Sequence, residues 1–201
     1  PVFDDAGTDV LFYVASRGHH ADVGGIAPGS MPPDSSHIDD EGVLLDNITL
    51  VRDGRMLEDE MRALLAGGKH PARNLDQNIA DLRAQVAANA KGVRELRAMV
   101  IHFGLDVVHA YMGHVQNNAE GAVKRVIGAL SDGKFTYEMD DGAKICVSIK
   151  IDETARTADI DFTGTSAQLT TNFNSPAAVT RAAVLYVFRT LVDDEIPMND
   201  G

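Results

Sequence analysis

Tryptophan is absent, cysteine occurs once, at Cys146, and aromatic residues make up only 5% of the 201-residue chain. A lone cysteine forms no intrachain disulfide, so a reducing compartment is expected and the cytoplasm is the natural location. No run of about 18 apolar residues occurs, and no membrane span is expected. Cations are scarce too: 18 Lys and Arg against 30 Asp and Glu leave a formal charge of −12. That charge opposes phosphate backbones, and the basic residues are scattered rather than clustered, so nucleic-acid binding is not expected. Neither a GxxxxGK loop followed by Ser or Thr nor a GxGxxG fingerprint is present, which argues against nucleotide binding in this stretch. What is present is a 44% hydrophobic content, ordinary for a packed core.

The chain opens at Pro1 without methionine and closes on "DDEIPMNDG", so it reads as an internal fragment of one larger domain, cut at both ends. Such a piece is expected to be inactive by itself. Three subregions follow from the patterning: strands and a glycine-rich loop over 1–70, a helical arm over 71–131, and strands followed by a helix over 132–201.

In the first, "DVLFYVAS" at 9–16 is rich in β-branched and aromatic residues and predicts a strand leading into a Gly- and Pro-rich loop over 18–33. "NITLVRDG" predicts another strand ending in an Asp-Gly turn at Asp53 and Gly54, followed by a short helix over about 56–66 that stops at Gly67 and Gly68. In the second, Leu75, Ile79, Leu82, Val86, Asn89, Val93, Leu96, Val100 and Phe103 recur at spacings of four and three, the mark of a helix with one apolar seam. Asn74 with Gln77 loosely resembles a capping box, and Gly104 interrupts the run before a second helix to about 130. In the third, "KFTYEMD", "AKICVSIKID" and "TADIDFTG" alternate as three antiparallel strands, with a turn at 140–142. A last helix is expected after Ser175 as N-cap and Pro176 as first helical residue. The fold class is therefore α+β, with mixed or antiparallel sheets and a long central helical segment.

Chemistry concentrates in "RGHHADVGGIAPGS". His20 and Asp22 share one face of an extended backbone and could meet one cation, whereas His19 needs a bend. Imidazole with carboxylate suits manganese, zinc or iron, but a stable site wants a third ligand. Gly24, Gly25 and Ser30 could instead offer backbone and hydroxyl donors to an anion, or simply build a turn. Asp22 is a base candidate if it is not a ligand. Thr163 in "DFTGTS" and Asn172 and Asn174 in "NFNSP" could supply hydroxyl and amide donors to a substrate, or serve turns and caps. His102, His109 and His114 lie on the helical stretch without an HExxH motif, and Cys146 sits in an alternating strand where a thiol behaves as a small hydrophobe.

Taken together, "SRGHHADVGGIAPGSMPP" (16–33), "EGVLL" (41–45), "NLDQNIADLRAQVAANAKGVREL" (74–96), "DFTGTS" (161–166), "NFNSPAAVTRAAVLYVFRTL" (172–191) and "IPMNDG" (196–201) resemble the hydantoinase B/5-oxoprolinase family. The resemblance implies the catalytic component of an ATP-dependent hydrolase that opens a cyclic amide. A hydantoinase A-type subunit or fused domain would use the ATP to phosphorylate the substrate carbonyl, and an oligomer is expected. It further implies a divalent metal site, with a histidine of the "HHAD" block joining a His and an Asp from an upstream GTHxxD segment. A ketone carboxylase subunit of the acetone-carboxylase type is the alternative within the family. A non-catalytic assembly module, docking its partner through the Leu75 to Phe103 seam, is the alternative outside enzymology.

Overall fold

A computed structural model describes residues 1–30 and 32–201; Met31, inside the glycine-rich loop, lies outside the described residues. The fold is α+β: helices and small antiparallel sheets, with a long central helical segment. The chain divides into two compact units, Pro1–His102 with Thr170–Asn172, and Phe103–Leu169 with Phe173–Gly201. The division falls within the helical arm.

In the first unit, β1 (Val2–Phe3) pairs antiparallel with β2 (Val10–Phe12). The strand expected over 9–16 is thus shortened to three residues. Beyond Phe12 the chain runs against a helix instead of a strand, and a strand cannot extend without a ladder partner. Ser16 Oγ donates to the carbonyl of Gln85, and Val14 lies against Gly92, where a Cβ would meet the Val14 side chain at 3.5 Å. That helix is α3 (Leu75–Phe103). Asn74 caps it by accepting from the Gln77 amide at 3.2 Å, but the Gln77 side chain reaches forward to Asp81 rather than back, so only half of the expected box forms.

The hairpin of β3 (Val51–Arg52) and β4 (Arg55–Met56) turns through Asp53 (φ 50) and Gly54 (φ 74), the two positive φ values that a tight two-residue hairpin demands. Helix α2 (Glu58–Leu65) follows, two residues later than the sequence pattern suggests. Its Met61 and Leu65 join Ala72, Ile79 and Leu82 in a core, with Leu45, Ile48, Leu50, Met56 and Leu75 packed around it. Every seam residue from Leu75 to Val100 is buried or half-buried, and only Phe103 is exposed, so the first turns of the seam serve this unit's own core. A four-residue helix α1 (Ile38–Glu41), capped by the His37 ring, lies outside any sequence expectation.

The second unit begins after α3. Gly104 (φ 87) interrupts the helix as expected and opens α4 (Leu105–Ile127). The sheet β5 (Gly133–Glu138), β6 (Lys144–Asp152) and β7 (Thr157–Asp161) is antiparallel throughout. Its register pairs Phe135 with Val147, Tyr137 with Ile145 and Ile149 with Ile160, so one face is apolar and the other carries Lys, Thr, Ser and Asp. Helix α5 (Ala177–Thr190) starts one residue later than expected. Pro176 is extended (ψ 154) and its carbonyl accepts from Val179 and Thr180, so it takes the cap position assigned to Ser175, whose hydroxyl bonds Thr180 Oγ1 instead. Ala119, Ala122 and Ile196 form a small core with Val192.

Candidate active site

The glycine-rich turn is built around Asp22. Its Oδ1 accepts from the amides of Gly24 (2.9 Å) and Arg73 (3.2 Å), and its Oδ2 from the Gly29 amide (3.1 Å) and Arg73 Nη1 (2.8 Å). Arg73 also donates to the carbonyls of Gly24 (3.2 Å) and Gly25 (2.6 Å), while Ser30 Oγ donates to Gly24 O and accepts from the Val23 amide. Burial of the Asp22 carboxyl acts to raise its pKa, but the amides of Gly24, Gly29 and Arg73 and the Arg73 side chain outweigh it and hold the group down at about 2.

Gly24 (φ 96) and Gly25 (φ 87) are required by both conformation and space. A Cβ on Gly24 would collide with the carbonyl oxygen of His70, and one on Gly25 would lie 2.7 Å from that of Asp40. Their amides are already paired, Gly24 with Asp22 and Gly25 with the carbonyl of His70 at 3.0 Å. Gly24, Gly25 and Ser30 therefore build a turn that spends its donors internally, and they do not form an open anion cradle.

This turn delivers the histidines to α3. The His20 ring is largely buried, with Nδ1 3.1 Å from Asn78 Nδ2 and 3.7 Å from Asp81 Oδ2, whereas the His19 ring is exposed. Asn78 Nδ2 also donates to the backbone carbonyl of Asp22 at 2.8 Å. The two histidines border a cleft of about 250 Å³ lined also by Arg17, Asp81, Ala84, Gln85 and Ala88. It combines a permanent cation, two imidazoles, a carboxylate and an amide, groups able to bind a polar substrate and to move protons.

Among the described residues no three His, Cys, Asp or Glu side chains converge as a metal cage. The donor chemistry of Asp22 agrees, because both of its oxygens are occupied by N–H groups. His19, His20 and Asp22 as a set do not fit a cation, and no step is derived through one. A carboxylate held at about 2 is also a weak proton acceptor near neutrality, so Asp22 suits the turn better than base chemistry. Asn172 lies in the same unit and donates to the carbonyl of Pro32 at 2.9 Å. Thr163 and Asn174 belong to the second unit: Thr163 bonds Asp161 through amide and hydroxyl, and Asn174 holds both backbone groups of Leu169. Arg73, Asn78, Asp81 and Gln85 escaped the sequence reading. Asn78, Asp81 and Gln85 do carry a signal, a polar stripe at three- and four-residue spacing beside the apolar seam.

The family model for hydantoinase B/oxoprolinase matches residues 1–201, and the chain belongs to that family. It is 42% identical to a 5-oxoprolinase of Dictyostelium discoideum over 96% of this chain, and 40% identical to 5-oxoprolinase 1 of Arabidopsis thaliana over all of it. The caprolactamase subunit beta of Pseudomonas jessenii is 27% identical over 64% of this chain and is covered over 21% of its own length. The chain spans 16% and 18% of the two oxoprolinases, about a sixth of their length. No solved structure matches it. Among the described residues, no helix is long and apolar enough to cross a membrane.

Proposed function

We propose that this chain forms part of the hydrolytic component of an ATP-dependent enzyme that opens a cyclic amide of the 5-oxoproline or hydantoin type. The observation that carries the reading is the match to the family along the whole chain, with relatives named as 5-oxoprolinases at about 40% identity. A relative named as one subunit of a caprolactamase supports both the lactam substrate class and work with a second component, here a hydantoinase A-type subunit or fused domain in the cytoplasm. In this reading the partner phosphorylates the carbonyl oxygen using ATP. Water then attacks the same carbon, and the ring C–N bond breaks as the ring nitrogen takes up a proton. A second water releases phosphate from the acyl phosphate left behind to give the ring-opened acid. The cleft of Arg17, His19 and His20 supplies charge for an anionic substrate and imidazoles for the proton. A divalent cation stays in the proposal with His19, whose ring is exposed, as this chain's open imidazole; no step is assigned to it.

The test is coupled turnover of the complete protein with ATP and either 5-oxoproline or hydantoin, following ADP and the ring-opened acid together. Ring opening that needs ATP and is abolished in His20→Ala, with substrate-dependent ADP release partly retained, is the expected result. Bicarbonate-dependent carboxylation of a ketone in its place would move the protein to the carboxylase branch. No turnover with intact partner binding would leave the chain an assembly module.

A further inference from the structure

We propose that Asn78 is a positioning residue that fixes the tautomer of His20, placing the ring proton on Nε2 and making this histidine a hydrogen-bond donor rather than a metal ligand. The bearing on the reaction rests on the function proposed above; the tautomer itself does not. Asn78 is 1% exposed and sits on the first turns of α3, directly behind the "HHAD" segment. Its amide has one permissible orientation. The atom 2.8 Å from the Asp22 carbonyl faces an oxygen with no proton to give, so it must be the amide nitrogen. That nitrogen carries a second hydrogen, and the ring atom within its reach is His20 Nδ1, at 3.1 Å. Nδ1 therefore accepts, and the neutral ring keeps its proton at Nε2.

Asp81 argues for the opposite tautomer, because a carboxylate wants Nδ1–H. Its Oδ2 lies 3.7 Å from Nδ1, beyond hydrogen-bond length, and its Oδ1 already accepts from Gln77 at 2.9 Å. The amide wins on distance. The arrangement has a visible cost: among the described residues Asn78 Oδ1 is buried without a hydrogen-bond partner. Such an orphan is normally avoided in a core, and it persists here because turning the amide over would set two oxygens against each other and lose both donated bonds. With Nδ1 accepting and Nε2 protonated, neither ring nitrogen has a free lone pair. A ligating histidine needs the reverse, a lone pair on one nitrogen and a donor on the other. His20 thus presents Nε2–H as a donor, suited to a carbonyl or phosphate oxygen.

Solid-state 15N NMR of the complete protein labelled at histidine, about two pH units above the ordinary imidazole pKa of about 6.5, reads this directly. The His20 signals are assigned by their loss in His20→Gln. The expected wild-type spectrum shows Nδ1 unprotonated and Nε2 protonated; a protonated Nδ1 overturns the proposal. Asn78→Asp, which can only accept when ionised, should invert the pattern and lower kcat at least about tenfold with a smaller change in KM. Asp81→Asn should leave the tautomer unchanged, and inversion there would assign control to Asp81 instead. The wild-type spectrum decides even if Asn78→Asp fails to fold, and it needs no substrate, so its failure is distinct from failure of the proposed reaction.

Discussion

Arg73 Nη1 lies 2.8 Å from Asp22 Oδ2, and the same guanidinium reaches the carbonyls of Gly24 and Gly25. One planar cation thereby ties a carboxylate and two carbonyls 48 to 51 residues away in sequence into a single turn. The arrangement uses the fork geometry of arginine, which an ammonium cannot copy. Arg73→Ala is expected to lower stability by about 2 kcal/mol, since bonds from a charged donor are lost while Asp22 keeps its backbone partners. Arg73→Lys should recover less than half of this. Urea denaturation measures both, and an unchanged midpoint in Arg73→Ala would mean the turn stands without its guanidinium.

The carboxyl of Asp22 predicts an acid limb. Its folded pKa of about 2 lies below the ordinary value of 3.8, so the unfolded chain takes up this proton first as the pH drops. The stabilisation is complete above about pH 4 and is lost as pH falls through about 2, amounting to about 2 kcal/mol. Asp22→Asn should flatten the stability profile over that window and lower the plateau near neutrality. A variant whose profile still falls by the same amount between those pH values would show that other carboxylates carry the limb.

Two glycines with similar backbone angles separate conformational strain from steric exclusion. Gly7 (φ 73) has open space where a Cβ would lie, whereas Gly24 (φ 96) has the His70 carbonyl there. Gly7→Ala is expected to cost only about 1 kcal/mol, the ordinary penalty of a left-handed backbone. Gly24→Ala must also displace the backbone of 70–71 and should cost about 3 kcal/mol or more, with loss of the His20 contacts to α3. Thermal unfolding of the pair checks this, and equal losses would sink the steric account.

Periodic segments were legible in the sequence and contacts between segments were not. The 3.6-residue seam from Leu75 announced α3, and alternation announced β5 to β7, because each pattern records which face meets the core. The strand expected over 9–16 failed because composition reports β preference but not whether a neighbour exists, and from Val14 to Ser16 the neighbour is a helix. At the site, "HHAD" marked the place, but nothing local said that the Asp22 carboxylate would be consumed by Arg73, or that His20 would meet Asn78 across 58 residues. Asn78 stands out only through its partners, because an amide beside a leucine seam looks in sequence like any other polar residue of a helix.

The neighbouring histidines should then differ when each is removed from the complete protein. His19 has an exposed ring, and His20 is held against α3 with its Nδ1 engaged. If the proposed divalent cation draws on this segment, the imidazole with a lone pair to give is His19. Elemental analysis of His19→Ala is expected to show loss of bound metal together with a fall in ATP-dependent ring opening of about 100-fold or more. His20→Ala should retain metal close to the wild-type level while abolishing ring opening, because it removes a donor and the anchor of the "HHAD" segment rather than a ligand. Loss of metal in His20→Ala with retention in His19→Ala would reverse the assignment of the two rings and contradict the tautomer set by Asn78.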